Sequence, residues 1–392
     1  MLREVDFIAY HDLQAQAGVS IYEEMSKSFD CKWRIGPDQI PSGAEIAIML
    51  DHSGFQPKIR KGKRGYKYLF HLSHDFGDVE IYKNEYDRLT EYDIVFAPSA
   101  FHFKYAQEQL SKNTIVLQTG WAKYDKMNLS EKYYNLEGKI KKLPYKYTIL
   151  YAPTFAWTYE WTYLLPLFKK LPCNIIIKNH IYVNNGQEFP KGQESEYKQH
   201  LESADRMEEV ILEDSASNML VAPREINICS LFKYVDILIS DQSSVTLEYL
   251  PFGISIETGR HNPNENDFLP ESHRLSEDVR FLEKTKLCKL LSSIKIFEEF
   301  LLSEKSRRNM ISNKYYEVNR GSVARLTTLL ITNYLDEVER ASLKQNILDK
   351  LITLISGNAK IDKLHIENKM TTLRDLFMAE LKNKQLEQPN KV

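Results

Sequence analysis

Short apolar runs rich in Val, Ile and Leu recur along this chain, each ending in a polar turn and most of them followed by a segment of helical periodicity. They fall at residues 5–10, 45–50, 66–72, 93–97 and 114–118. The pattern restarts at 147–151, 174–178, more weakly at 210–212, and at 235–239 and 254–257. Helices are expected at 21–29, after a loop over 11–18, and from Ser99 to Leu110. Continuous apolar runs belong to strands covered on both faces, and strands that alternate with helices build parallel sheets. The expected fold is therefore α/β and doubly wound, with ligands taken up outside the carboxyl ends of the strands.

The pattern runs through twice. A chain of 392 residues that is 43% hydrophobic exceeds what one typical core holds, so two domains are expected. The basic, proline-containing stretch 137–146 reads as the linker between them. The expected division is an N-terminal Rossmann-like domain over 1–140 and a second over 141–335, with charged amphipathic helices over 336–392. The strand ends of both domains are expected to face a common cleft.

Several function classes fall away on composition. The net charge of −2 gives no electrostatic case for nucleic acid. No run approaches the roughly 18 apolar residues of a membrane span, and the first residues lack a signal peptide's apolar core. The cysteines at 31, 173, 229 and 288 are scattered with no CxxC pair, which predicts neither disulfide framework nor zinc site and fits a reducing cytoplasm.

The strand-end rule gathers particular residues. His11, His52 and His74 each stand just past an apolar run of the first half, so they are expected on one rim. In the second half, residues 234–253 read as a strand, a polar break and a helix opening near Ser243 and Ser244. Free N–H groups at such a helix start favour anions, and Ser243, Ser244 and Thr246 would add hydroxyl donors. On this stretch alone an ordinary serine-capped turn is the better account of the pattern.

A family resemblance joins these pieces. YTILYAPTF (147–155), NIIIKNH (174–180) and DILISDQSSVTLEYL (236–250) follow one another as in the second domain of the CDP-glycerol glycerophosphotransferases, the teichoic-acid and capsule polymerases and primases of bacteria. TGWAKYDKM (119–127) is similar to the segment before that family's linker, and NKYYEVNRGSVARLTTLLI (313–331) to its closing segment. The chain departs from the family in three places. His74 stands between Ser73 and Asp75 where a His-Gly pair is usual, with His71 inside the strand as a rival. Ile181 follows His180 in place of proline, and Gln242 replaces a tyrosine.

The resemblance implies the GT-B fold, two Rossmann-like domains, and transfer of a polyol phosphate. An acceptor hydroxyl would attack the β-phosphate of a CDP-alcohol, and CMP would leave. His74 would be the base and His180 a donor to the diphosphate, an imidazole having a pKa near working pH. Thr154, Asp241, Ser243, Ser244 and Glu248 would hold the donor, with Asp241 orienting His180 or its loop and Glu248 reaching ribose. His11 and His52 are acceptor-side candidates. No cofactor and no metal are expected, since no D-x-D pair stands at a strand end of the second domain. The partners implied are the nucleotide-activated donor and a cell-surface glycan or lipid-linked acceptor.

Two basic runs, one from Lys58 through Arg60, Lys61, Lys63 and Arg64 to Lys67, the other Lys139, Lys141, Lys142 and Lys146, are ordinarily solvated faces. They would also suit an anionic membrane surface, at about 1 kcal/mol per cation. Two readings stay open beside the phosphotransferase: a glycosyltransferase using a nucleotide sugar, and a degenerate, non-catalytic scaffold.

Overall fold

The computed structural model describes residues 2–9, 12–36, 43–50, 65–73, 92–110, 114–128, 133–154, 158–180, 194–213, 217–241, 243–258, 279–315 and 321–340. His11, His52, His74, the basic residues between 58 and 64, and residues 341–392 lie outside them. In chain order the elements begin β1 (Glu4–Ala9), α1 (Asp12–Met25), β2 (Asp30–Ile35), β3 (Ile46–Met49), β4 (Tyr68–Leu72), β5 (Ile94–Ala97), α2 (Ala100–Gln109) and β6 (Ile115–Gln118). They continue with α3 (Tyr134–Ile140), β7 (Thr148–Tyr151), α4 (Thr158–Lys170), β8 (Asn174–Ile177), α5 (Glu194–Glu213), β9 (Met219–Val221), β10 (Ile237–Ser240), α6 (Ser244–Tyr249) and β11 (Ile254–Glu257). Last come β12 (Arg280–Phe281), α7 (Lys284–Leu290), α8 (Ile294–Tyr315) and α9 (Val323–Arg340).

The chain divides into two compact units. One holds the described residues up to Asp125 together with α9; the other runs from Lys126 to Tyr315. The linker stretch is partly helical, as α3, and belongs to the second unit.

The first unit contains a six-stranded parallel sheet in the order β2-β1-β3-β4-β5-β6. Strands β3, β4 and β5 are buried along their whole length, as their continuous apolar runs require. Three local features depart from the reading of the sequence. The stretch 12–18 is the first half of α1 rather than a loop, and Gly18 sits where a Cβ would stand 2.6 Å from Leu50 Cδ2, so this glycine admits close helix–sheet packing. Strand β2 pairs at the edge and is only partly buried, which is why no apolar run announces it. The third concerns α9, expected to close the second domain. Its Val323, Leu326, Leu330, Ile331 and Tyr334 pack instead into the core of the first sheet, with α1.

Specific bonds fix that return. Asp125 accepts from the first-turn amides of α9, Val323 N at 3.1 Å and Ala324 N at 2.7 Å, satisfying donors that a helix cannot satisfy itself. Further along, Tyr334 Oη donates to the buried carboxylate of Asp93 at 2.7 Å, whose other oxygen accepts from Leu69 N at 2.9 Å. Burial first, and the Asp93 charge second, push the Tyr334 hydroxyl well above the ordinary tyrosine value. A group bound more tightly to its proton in the folded state stabilises below its unfolded pKa and loses that contribution above it. The first unit is therefore expected to lose stability as pH rises past about 10. Tyr334→Phe should remove that dependence and cost about 1.5–3 kcal/mol at neutral pH, read by denaturant unfolding.

The second unit holds another six-stranded parallel sheet, β12-β11-β10-β7-β8-β9. One face, with Ile149, Tyr151, Ile175, Ile177, Ile237 and Ile239, is covered by α4, α5, α7 and α8 through residues such as Leu164, Phe168, Met207, Leu287 and Phe297. Residues 210–212, weakly expected as a strand, close α5; the third strand of this unit is β9. Val210, Ile211 and Leu212 are apolar in succession on an amphipathic helix, where Ile211 packs inward and Leu212 is 70% exposed.

Candidate functional site

Strand order locates the site in the second unit. Counted from β7, the sheet runs third, second, first, fourth, fifth, sixth, so chain progress reverses between β7 and β10. A crevice opens outside the carboxyl ends of strands at such a reversal, because the two connections leave to opposite sides. The residues past β7 are Ala152, Pro153 and Thr154, and those past β10 are Asp241 to Ser244.

These two strand ends are tied to one another. Asp241, 1% exposed, accepts from Thr154 N at 2.8 Å through Oδ1. Ser240 Oγ donates to Ala152 O at 2.6 Å, and Ala152 N donates to Ile239 O at 3.0 Å. Asp241 thus holds the loop after β7. Thr154 Oγ1, just past the carboxyl end of β7, is buried with no hydrogen-bond partner among the described residues. A buried hydroxyl left unsatisfied costs about 1–3 kcal/mol, and this one lies where a ligand is expected.

Ser243 and Ser244 open α6. Ser243 takes the extended backbone of an N-cap (φ −136°, ψ 143°), yet its side chain makes no cap hydrogen bond. The corresponding turn of the first unit behaves differently. Ser99, which follows β5, is an N-cap with φ −147° and ψ 168°; its Oγ accepts from His102 N at 3.4 Å and lies 2.8 Å from His102 Nδ1. Local sequence is similar, DIVFAPS against DILISDQS, and each aspartate accepts from a neighbouring strand, Asp93 from Leu69 N and Asp236 from Thr148 N. One serine is spent on its own helix and the other is not. Because α6 spans six residues, its contribution is these hydroxyls and first amides rather than a long dipole.

Glu248 lies on the same short helix and is 1% exposed, with Cys229 Sγ 3.6 Å from Oε2, so it is no solvent-facing helix carboxylate. On the next strand end, beyond β8, stand Lys178, Asn179 and the half-buried His180. On the other side Thr258 Oγ1 bonds Glu160 and Ser240 O, fixing the end of β11. The structure therefore gathers Thr154, His180, Asp241, Ser243 and Ser244 on the carboxyl edge of one sheet. Among the described residues no group of three or more His, Cys, Asp or Glu is placed to hold a metal ion.

In the first unit the reversal lies between β1 and β3. His11, His52 and His74 follow β1, β3 and β4, which are adjacent strands, while the histidines themselves fall outside the described residues. His71, the rival, is 1% exposed inside β4 and packs edge-on against Tyr92, with centroids 5.2 Å apart. Sequence reasoning missed the buried Ser99–His102 pair at the end of β5. The signal for half of it was there, since a serine directly after an apolar run is the pattern of an N-cap; the histidine three positions on carried none.

Comparison with known proteins bears on the fold. No protein-family model matches the chain, and no curated protein sequence matches it. Among solved structures, a variant of the wall teichoic acid polymerase TagF is similar at TM-score 0.57 and 14% identity, over 86% of this chain and 90% of that one. The fold is GT-B. A TagF structure soaked with CDPG gives 0.56 at 15% identity, over 86% and 90% of the two chains. S. aureus MnaA in complex with UDP gives 0.50 at 10%, over 86% and 97%. Among the described residues no helix is long and apolar enough to cross a membrane.

Proposed function

We propose that this chain is a transferase acting on a nucleotide-activated donor, moving a polyol phosphate from a CDP-alcohol to a hydroxyl of a cell-surface glycan or lipid-linked acceptor. The observation that carries this reading is the edge between β7 and β10, where Asp241 pins the Thr154 loop while Thr154 Oγ1 and Ser243 Oγ keep clear of internal caps. The likeness to a teichoic acid polymerase soaked with CDPG supports it. Hydroxyls and amides aimed at phosphoryl oxygens stabilise the charge that grows there in the transition state.

In this reading the acceptor oxygen attacks the β-phosphorus as His74 takes its proton. The bond from that phosphorus to the bridging oxygen breaks, and CMP leaves with the electron pair. His180 donates to the diphosphate, Thr154, Ser243 and Ser244 hold its oxygens, and Asp241 keeps the Thr154 loop in place. Glu248 reaches the ribose only if its buried carboxylate turns outward, which makes it the weakest of the donor contacts. The domain roles follow, acceptor on the first unit and donor on the second. The lysines at 139, 141, 142 and 146, exposed or at the surface of α3 and its exit, would face an anionic membrane from the cytoplasmic side.

Incubation with a panel of CDP-alcohols and nucleotide sugars, with the released nucleotide identified, tests the reading. CMP from a CDP-alcohol is expected. Release of a nucleoside diphosphate from a nucleotide sugar would favour the second reading, a glycosyltransferase, which the likeness to UDP-bound MnaA keeps in view. Activity should survive EDTA, because the charge on the donor is met by hydroxyls, amides and His180. Complete loss that added metal restores would contradict this arrangement.

A further inference from the structure

The carboxyl end of β8 is held by a buried polar brace whose residues are not among the donor contacts proposed above. Lys178 and Asn179 are 8% and 2% exposed, and Arg224, past β9, is 7% exposed. Lys178 Nζ donates to Arg224 O at 2.9 Å and to Asn179 O at 3.4 Å. Asn179 Nδ2 donates to Glu208 Oε1 at 2.7 Å, and the same oxygen accepts from Arg224 Nε at 2.7 Å. The guanidinium is completed by Asp205 Oδ1, 2.6 Å from its terminal nitrogen. Burial works against the Arg224 charge, but the bonds to Glu208 and Asp205 outweigh it and hold the group above its ordinary value.

Buried ions are weak contributors to stability, since desolvation consumes most of what their attraction returns, and apolar replacements often serve as well. Their directional bonds specify geometry instead. Here the specified element is the peptide that joins Asn179 to His180: Lys178 grips its carbonyl, and Glu208 fixes the side chain on its near side. The neighbouring strand end, Ala152 to Thr154, is held by bonds to Ile239, Ser240 and Asp241.

We propose that Glu208, acting with Lys178 and Arg224, is a positioning residue for His180, setting the orientation in which the imidazole meets the donor phosphates. The inference rests on the reading that His180 serves the donor. Two measurements separate the failure of one from the failure of the other. The Cε1–Hε1 signal of His180, assigned by its loss in His180→Ala, should move in both Glu208→Gln and Lys178→Met without any nucleotide present. Calorimetric titration of CDP should then show His180→Ala weakened about tenfold or more, as expected for a hydrogen bond to a charged group. Glu208→Gln should be weaker severalfold, and the double variant no weaker than His180→Ala alone, because coupled residues are not additive. A His180 signal unmoved in both variants, or additive losses of affinity, would overturn the brace. A moved signal in a protein that does not bind CDP would support the brace and count against the transferase reading. Should Lys178→Met fail to fold, the isosteric Glu208→Gln carries the test.

Discussion

Replacing His74 with alanine is expected to lower turnover by roughly 10²–10⁴ while nucleotide affinity stays nearly unchanged, because a general base contributes to the chemical step alone. Ser244→Ala should do the opposite. A hydroxyl bonded to the donor diphosphate is worth about 1.5–3 kcal/mol, so the donor should bind roughly ten- to a hundredfold more weakly. Both positions lie past strand ends rather than in a core, so both variants should stay folded. Titrating CDP into each beside a turnover assay checks the pair together. If His74→Ala abolishes nucleotide binding, or keeps full turnover, the division of labour is wrong, and His52 and His11 become the next bases to examine.

A second large effect concerns stability. Gly253 lies against the ring of Tyr249, and a Cβ added there would stand 2.1 Å from Tyr249 Oη and 2.4 Å from Cζ. The ring cannot step aside: Tyr249 is fully buried, packs edge-on against Phe232 at 5.1 Å, and donates to Val235 O at 2.5 Å. Gly253→Ala should therefore cost about 3 kcal/mol or somewhat more, at the upper end of overpacking losses. Gly18→Ala clashes with the flexible end of Leu50, at 2.6 Å, and meets Trp33 at an ordinary 3.4 Å, so it should cost less. Thermal unfolding of the two variants side by side gives the comparison, and a Gly253→Ala protein as stable as the parent would show that the α6–β11 turn can open.

What was legible in the sequence follows from what is local. Strands β3, β4, β7, β8, β10 and β11 are buried along their length, so continuous apolar runs disclose them. The edge strand β2 alternates Asp30, Lys32 and Arg34 on one face with Cys31, Trp33 and Ile35 on the core face, so it gives no continuous apolar run. Residues 210–212 are apolar in succession yet helical, which periodicity over three residues cannot reveal. The return of α9 to the first sheet depends on Asp125, distant in sequence, and on a core that only tertiary packing creates. At the site, strand ends were readable because a polar break follows each apolar run. Their pairing was not: nothing local says that Asp241 reaches Thr154, or that Ser99 caps its helix where Ser243 does not.

The central claim is that the second unit takes a nucleotide diphosphate at the edge between β7 and β10, and amide hydrogen exchange with and without saturating CDP tests it most directly. Added CDP is predicted to slow exchange in peptides covering Ala152–Thr154, Lys178–His180 and Ser243–Thr246, while the opposite, amino-terminal edge of the same sheet, around Asn174 and Asp236, stays unchanged. Protection confined to that opposite edge or to the first unit, or no protection by CDP or UDP at any concentration, would contradict it.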